Sequence, residues 1–489
     1  MQTSTETTPL VADSAPDGRP QVHIPKVHDP GAFVLTVCGL VLLGASSSGL
    51  WAIPAIRLVE DIACRTHYGL HDLVSDSPID KALCKADEIQ ERVAYILAVY
   101  TAIQATVGAT CTFPWGIVAD RIGRKPVLSI AVIGITLDLL WFAFVCAFPR
   151  TLPLEAIWLG PAMEVIGGGN AVLTVALFSM VSDVVTEEKR TTAFMRAYLS
   201  GMLGNLVAPA VSGQIMDKVG PWFVIRLAIG GFVLLAVAVH ILPEVKPASK
   251  DPQDHMAERA PSKHGVVGAI EHALVRIRES LAVFQSPSLV LLFLASLAVF
   301  PLAQSTMQLM SQFASKRYHI SLAQTGYLSS LYGFATALSI LWILPAVANF
   351  LAAPARIPNS RQRDLFLIRA SSVVLMMGSS VMSTAPNLGT FILGLAILSL
   401  GAGWGSHLRS LATIYVDAAH RTRLYSIMSI VETVGNVYAQ PMLAALFTAG
   451  MKLGHVWIGL PYLGIALLVA LALALLLLVR LPSEDADEE

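Results

Sequence analysis

The stretch GIVADRIGRKPV, residues 116–127, gathers four charged side chains: Asp120, Arg121, Arg124 and Lys125. The apolar segments on either side of it, 92–115 and 127–147, carry one charged residue each. Over the whole chain of 489 residues, 14% are charged and 55% are hydrophobic, whereas about 25% of residues are charged in soluble globular proteins. This pattern predicts an integral membrane protein in which the stretch is a short loop between two spanning helices.

Apolar windows long enough for a helix to cross a bilayer, which takes about 20 residues, recur along the chain. We call them spans 1 to 12, and they fall near residues 33–55, 92–115, 127–147, 154–182, 192–213, 222–243, 288–313, 324–350, 367–385, 389–412, 425–450 and 458–480. The predicted fold is an all-α membrane protein with twelve transmembrane helices in two six-helix bundles.

The remaining segments are expected to flank and join these bundles. The predicted divisions are a disordered cytoplasmic tail at 1–32, bundles at 33–243 and 288–480, a cytoplasmic linker at 244–287 and an acidic cytoplasmic tail at 481–489. Apolar residues at helical spacing predict an amphipathic helix in the linker: Val267, Ile270, Leu274, Ile277 and Leu281.

The chain repeats itself with one offset of 231 residues. The residues Arg190, Thr191, Gly204, Asn205 and Ala208 recur as Arg421, Thr422, Gly435, Asn436 and Ala439. Five matches in one register predict two homologous halves related by an axis along the membrane normal.

Basic residues in the short loops predict the orientation of the spans. With the termini inside, ten Lys and Arg residues fall in inner loops and five in outer loops. We therefore expect both termini in the cytoplasm, and the plasma membrane in preference to the vacuolar membrane.

Several function classes are excluded by what the sequence lacks. The formal net charge of −1 offers no basic field for nucleic acid. No phosphate-binding loop, HExxH, GxSxG or cluster of metal ligands occurs, so we expect neither an enzyme nor a metal or cofactor site.

The opening stretch also carries a resemblance. Gly116, Asp120, Arg121, Gly123, Arg124 and Lys125 match the signature Gly-x-x-x-Asp-Arg-x-Gly-Arg-Arg/Lys, found between the second and third helices of the major facilitator superfamily. With its spans and repeat, the chain resembles this superfamily over most of its length. The first outer loop, EDIACRTHYG (60–69) and CKADEIQ (84–90), resembles fungal members linked to efflux of organic compounds and secondary metabolites.

The resemblance implies that the signature forms a gating contact. Asp120 is expected at the N-terminus of span 11, where the helix dipole favours an anion. Arg121 and Arg124 are expected to pair with a carboxylate that ends span 4, for which Asp183 is the candidate. Gly116 is expected to let span 2 approach a neighbouring helix closely. A simple cationic anchor is the alternative interpretation.

A second motif lies in span 5 and resembles the superfamily's antiporter motif, with two of its glycines replaced. It comprises Gly204, Ala208, Pro209, Ser212 and Gly213.

Ionisable residues within spans cost at least about 2.5 kcal/mol at the bilayer centre, so each needs a reason. Glu164, expected in the middle of span 4, stands four residues before Gly168, where the resembled family often has Arg. It is our first proton-coupling candidate, with a structural Glu as the alternative. Glu432 is either a second carrier or the partner of a loop cation. Asp138 is a third candidate, for which a structural pair is preferred.

The resemblance also implies a substrate cavity between the halves. Its candidate lining residues are Gln304, Gln308, Trp404, His407, Asn205 and Asn436. Glycines 167–169 in span 4 are interpreted as close helix packing.

The two cysteines of the first outer loop, Cys64 and Cys84, are expected to form a disulfide because the exterior is oxidising. Free thiols are the alternative.

The function expected from these features is export of a small organic molecule coupled to proton entry, by a monomer in the lipid bilayer. Proton-coupled uptake is the alternative, and a membrane sensor on the same fold is a further one.

Overall fold

The computed structural model describes residues 30–69, 83–185, 187–243, 286–353, 357, 359–416 and 421–481. The predicted linker helix, and nearly all of both predicted tails, lie outside these residues. The described residues form helices and no strand, so the all-α prediction is confirmed.

Nine of the twelve spans are unbroken α-helices in the described part of the chain. They are Pro30–His67, Asp87–Ile122, Arg124–Ala147, Glu187–Val219, Pro221–Ala238, Pro287–Tyr318, Ser360–Thr384, Arg421–Leu453 and Leu460–Leu478, which are spans 1, 2, 3, 5, 6, 7, 9, 11 and 12. Short 3₁₀ turns occur at Leu83–Lys85, Leu154–Leu159, Val239–Ile241 and His455–Gly459.

The other three spans are interrupted. Span 4 consists of Gly160–Met163 and Gly169–Val184, and span 10 of Leu388–Leu400 and Trp404–Ile414. Span 8 consists of Leu322–Leu338, a π-helical turn at Ser339–Ile343, and Leu344–Leu351.

Each predicted window is mostly helical, and the windows of spans 4 and 10 each contain one non-helical turn. Within the described residues, eight helical stretches are long and apolar enough to cross a membrane. The total of twelve crossings stays a prediction.

The two halves contact each other through a pattern that follows the sequence repeat. Span 5 packs between span 1 of its own half and span 8 of the other half. Span 11, its partner in the repeat, packs between span 7 of its own half and span 2 of the other half. Each half therefore supplies one helix that lies between the bundles, and the space left between these helices is where a solute site can form.

Candidate functional site

The break in span 4 contains Glu164, the first of the predicted proton-coupling residues. The helix that begins at Gly160 ends at Met163, and the next begins at Gly169, so Glu164 lies in the interruption between them. The prediction that it lies in the middle of a continuous helix is wrong. The backbone N–H of Gly168 donates to the Glu164 carbonyl at 2.8 Å, which closes the turn.

Three consecutive glycines make this turn possible. Gly167, Gly168 and Gly169 have φ values of +96°, +77° and +62°, a region that costs other residues about 1–2 kcal/mol. A Cβ on Gly167 would stand 2.5 Å from the Ala131 backbone, and one on Gly169 would overlap the Glu164 carboxyl group. The glycines therefore bring span 4 close to span 3, as predicted, and also break the helix.

Glu164 belongs to a buried polar network that joins spans 2, 3 and 4. The Gln104 amide donates to Glu164 Oε1 at 2.7 Å and to Asp138 Oδ2 at 3.4 Å. The Tyr100 hydroxyl donates to the same Asp138 oxygen at 2.6 Å. Glu164 is 1% exposed and Asp138 is 0% exposed. The two carboxyl groups thus share one amide donor, and both are buried.

The hydrogen-bond donors described for these two acids are neutral. Within the described part of the chain, neither Glu164 nor Asp138 forms a salt bridge. Two adjacent carboxylates without a cation are costly to bury, because each negative charge is desolvated and repelled by the other. The network can relieve this cost by holding a proton, which is the chemistry that its geometry supports.

Glu164 also faces a cavity of about 300 Å³ that lies between the two halves. Three aromatic rings form one wall: Trp51, Tyr100 and Phe142, with the ring centroids of Trp51 and Phe142 at 5.1 Å and those of Tyr100 and Phe142 at 5.6 Å. The second half contributes Leu309, Gln312, Gln440 and Ala444. A solute in the cavity would therefore touch both halves and the Glu164 carboxyl group.

The two acids described in the second half, Asp364 and Glu432, each lie beside a basic side chain. Arg409 donates to Glu432 Oε1 at 2.9 Å, so Glu432 pairs with a cation of span 10. Asp364 Oδ1 lies 3.2 Å from His407 Nδ1. Trp404 is buried and donates from its indole N–H to Ser372 Oγ at 2.9 Å. Among the described residues, the cavity lining includes neither Trp404 nor His407.

The other predicted lining residues are placed differently. Asn205 is exposed. The side chains of Gln304, Gln308 and Asn436 lie outside the described residues. Gln312, which the sequence prediction missed, lines the cavity instead.

The partners described for the basic residues of the signature stretch, 116–127, lie in the first half of the chain. Arg124 pairs with Asp183 at 2.5 Å, while Arg121 is exposed. Lys125 Nζ donates to the carbonyls of His240 and Leu242 at 2.9 and 2.6 Å, which satisfies free carbonyls where span 6 ends.

Two glycines of the signature have different environments. Gly123 has φ +100° at the corner between spans 2 and 3, where a left-handed residue is required. No described atom lies within 4 Å of a Cβ built on Gly116, so the close approach predicted there is absent from this structure. The Asp120 side chain lies outside the described residues.

The antiporter-like motif of span 5 is a packing surface. Gly204 lies against the Ser46 backbone of span 1, and Ser212 Oγ donates to the Leu50 carbonyl at 2.9 Å. Ala208 lies against Gly49, also in span 1.

The motif's other two residues face the second half. A Cβ on Gly213 would overlap the Ala323 backbone, and one on Gly326 would overlap the Pro209 carbonyl. The small residues therefore let span 5 contact spans 1 and 8 closely.

A second buried charge cluster lies where the end of the span 1 helix meets the start of span 2. Cys64 and Cys84 form a disulfide. Beside it, Glu60 is 1% exposed and accepts from Lys85 at 2.5 Å, from Gln90 at 2.7 Å and from Arg57 at 3.0 Å. Burial lowers the pKa of the Lys85 ammonium, although the adjacent Glu60 carboxylate opposes this shift.

This cluster also connects the halves. Lys316 of span 7 donates to the Lys85 carbonyl and pairs with Asp87 at 2.7 Å, and Lys452 pairs with Glu91 at 3.2 Å. In this structure the halves are thus held together at the end that carries the disulfide.

Some of the residues missed by sequence reasoning left a signal. Gln104 is a polar residue inside an apolar window, and Gln312 continues the four-residue spacing of Gln304 and Gln308. Asp364 and Arg409 had no pattern that marked them, because their partners are distant in sequence.

Comparisons with known proteins agree with this geometry. The family profile described as Major Facilitator Superfamily matches residues 89–440. The MFS efflux pump atnC of Emericella nidulans is 29% identical, and the match covers 98% of this chain and 94% of that protein. The efflux pump ustT of Aspergillus flavus is 28% identical over 90% of this chain and 87% of that protein.

Solved structures support the fold alone, because their sequence identities are low. A D-xylose–proton symporter superimposes with a TM-score of 0.63 at 14% identity, covering 92% of this chain and 97% of that one. The nucleoside transporter NupG has a TM-score of 0.61 at 14% identity, covering 92% and 100%.

Proposed function

Because this chain belongs to the Major Facilitator Superfamily, and is therefore a multi-pass membrane transporter of small solutes, we propose that it exports an organic molecule in exchange for protons. The efflux pumps among its relatives support export as the direction. The two halves would alternate in exposing the central cavity to each side of the membrane.

The observation that carries the proposal is the Glu164 carboxyl group. It lines the cavity that both halves share, and it is linked through Gln104 to the second buried acid, Asp138. A proton carrier must be buried, must lack a permanent cation and must be reached from the solute pathway. Among the three sequence candidates, Glu432 lacks the second property, since Arg409 pairs with it. Asp138 lies behind Glu164 and would share the proton with it.

Conformational change would use the two ends of the bundle differently. The contacts of Lys316 and Lys452 close the disulfide end in this structure. We assign the gating role at the opposite end to the signature stretch, in which Arg124 and Asp183 already form a pair and Asp120 would join span 11 when that end closes. The protein would lie in the plasma membrane, with both termini in the cytoplasm.

Purified protein in proteoliposomes tests the proposal. A radiolabelled panel of organic cations, anions and neutral aromatics is supplied with a pH gradient in each direction. At least one solute should accumulate only when protons can flow the opposite way. Glu164→Gln, which keeps the shape of the side chain but cannot release a proton, should abolish gradient-driven accumulation and retain solute exchange without a gradient.

Glu155→Gln is the matched control. Glu155 precedes the same break in span 4 and pairs with Arg92 at 2.8 Å, outside the cavity lining. It should transport as the wild type does. Gradient-driven accumulation that persists in Glu164→Gln would refute the role of Glu164. Accumulation that occurs only when protons and solute move in the same direction would indicate proton-coupled uptake instead of export.

A further inference from the structure

We propose that the exported solute is a protonated amine on an aromatic body, and that its ammonium group displaces the proton held by Glu164. This inference rests on the proposed function and specifies the substrate class of the same cavity. It follows from the charge of the cavity, from one unpaired hydrogen-bond acceptor and from the aromatic wall.

The charge of the cavity is the first argument. The described lining residues include the Glu164 carboxyl group and no Lys, Arg or His. The groups that face Glu164 from the neighbouring spans are Asp138 on span 3, and Tyr100 and Gln104 on span 2. Two acids and two neutral groups give a potential that attracts cations and repels organic anions, because field lines concentrate in a low-dielectric cleft.

The unpaired acceptor is the second argument. Gln312 reaches the cavity from span 7 in the other half and is 5% exposed. Among the side chains that the structure describes, none donates a hydrogen bond to its Oε1 atom, although buried acceptors of this kind are almost always paired. An ammonium N–H would supply the missing donor, so Gln312 would add a contact from the half opposite to that of Glu164.

The aromatic wall is the third argument. The rings of Trp51 and Tyr100 each meet Phe142 edge to face, with interplanar angles of 70° and 72°. Aromatic rings pack against a flat apolar body and attract a cation held over their faces. A cavity of about 300 Å³ lies at the small end of the range for ligand pockets, which suits a compact amine.

The exchange balances without any further reactant. A protonated Glu164 carboxyl group and an ammonium ion become a carboxylate–ammonium ion pair and one released proton, so the total charge is unchanged. The solute and the proton therefore compete for one carboxyl group, which is the simplest physical basis for exchange.

Three indoles that differ mainly in charge test the substrate class. Tryptamine is a cation, tryptophol is neutral and indole-3-acetate is an anion at pH 7. Their binding to the purified protein is measured by titration calorimetry in buffers with different ionisation enthalpies, which reports the protons released. We expect tryptamine to bind at least about tenfold more tightly than tryptophol, because hydrogen bonds to charged groups are strong, and to release a proton, whereas indole-3-acetate should bind least.

Two variants locate the effect. Glu164→Gln should lower tryptamine affinity to that of tryptophol and remove proton release, while unchanged tryptophol binding reports an intact fold. Gln312→Leu should weaken tryptamine binding by roughly 3- to 10-fold and preserve proton release. Glu155→Gln should change neither quantity.

The proposal is overturned if tryptamine binds no more tightly than tryptophol, including the case in which neither binds, or if it binds without releasing a proton. These measurements need no pH gradient, so they are separate from the transport assay. Gradient-driven transport that depends on Glu164, together with binding that ignores charge, would retain the proposed function and reject the amine.

Discussion

Spans 4 and 10 occupy equivalent positions in the two halves, and both are broken. They differ in the described groups that surround the nearby acids, and these groups are neutral around span 4 and basic around span 10. Around the break in span 4, the described donors to Glu164 and Asp138 are the neutral side chains of Tyr100 and Gln104. Around span 10, Asp364 lies beside His407 and Glu432 beside Arg409.

Burial within a span is therefore not the property on which we propose Glu164 as the proton carrier. Glu432 is largely buried, with 16% of its side chain exposed, but it pairs with Arg409. Glu164 is distinguished by the lack of a basic partner within the described residues. In the proposed function, the first half therefore exchanges a proton at Glu164, whereas the described acids of the second half stay in their pairs with basic side chains.

The largest expected effect is on the free energy of unfolding, when a glycine at the break in span 4 or span 10 is replaced by alanine. Gly167→Ala should lower the free energy of unfolding by at least about 2 kcal/mol, since the residue is left-handed and its Cβ would overlap the Ala131 backbone. Gly403→Ala in span 10 should cost less than about 1 kcal/mol, because φ is −73° there and the flexible Leu344 side chain can move.

Thermal unfolding in detergent, followed by size-exclusion chromatography, measures this difference. Gly405→Ala serves as the control, because no described atom lies within 4 Å of its Cβ position. Equal losses at Gly167 and Gly403 would show that the two breaks do not differ in backbone constraint.

The next effect concerns neutralising one acid in each half. Asp364→Asn should destabilise the protein by about 1–2 kcal/mol, because Asp364 accepts from Ser410 at 2.6 Å and pairs with His407. Asp138→Asn should change stability by less than about 0.5 kcal/mol, since it keeps an acceptor for Tyr100 and removes a charge beside Glu164. The same unfolding assay compares them, and the reverse order would break the contrast between the halves.

A smaller effect is expected when Glu432 loses its cation. Arg409→Gln should cost up to about 1 kcal/mol, because 51% of the arginine side chain is exposed and exposed ion pairs contribute little. Adding Glu432→Gln should recover most of the loss. A double-mutant cycle of unfolding measurements tests this coupling, and strictly additive losses would mean that the pair contributes nothing.

The smallest effect sharpens the comparison at the level of transport. Glu432→Gln should leave gradient-driven accumulation within about twofold of wild type, a change of about 0.4 kcal/mol in activation free energy. The measurement uses the proteoliposomes and solute panel described above. Loss of coupling in Glu432→Gln would place a proton carrier in the second half as well.

Local patterns in the sequence were sufficient to predict the all-α class of the fold. Apolar windows of bilayer length predicted helices that the structure contains, because hydrocarbon leaves backbone polar groups no partner except within the helix. The signature at 116–127 predicted the family that the profile match shows. Glu164 could also be singled out, since a charge within an apolar window is rare.

The tertiary structure alone decided what surrounds each polar group. Gln104 bonds to residues 34 and 60 positions away, and no local period encodes such distances. The left-handed conformation of glycines 167–169 likewise depends on how closely span 3 approaches. The sequence by itself thus determined which segments are helices in a membrane and which residues carry charge, because both are local properties. Whether a buried acid meets an amide or an arginine depends on helices that are brought together only by packing.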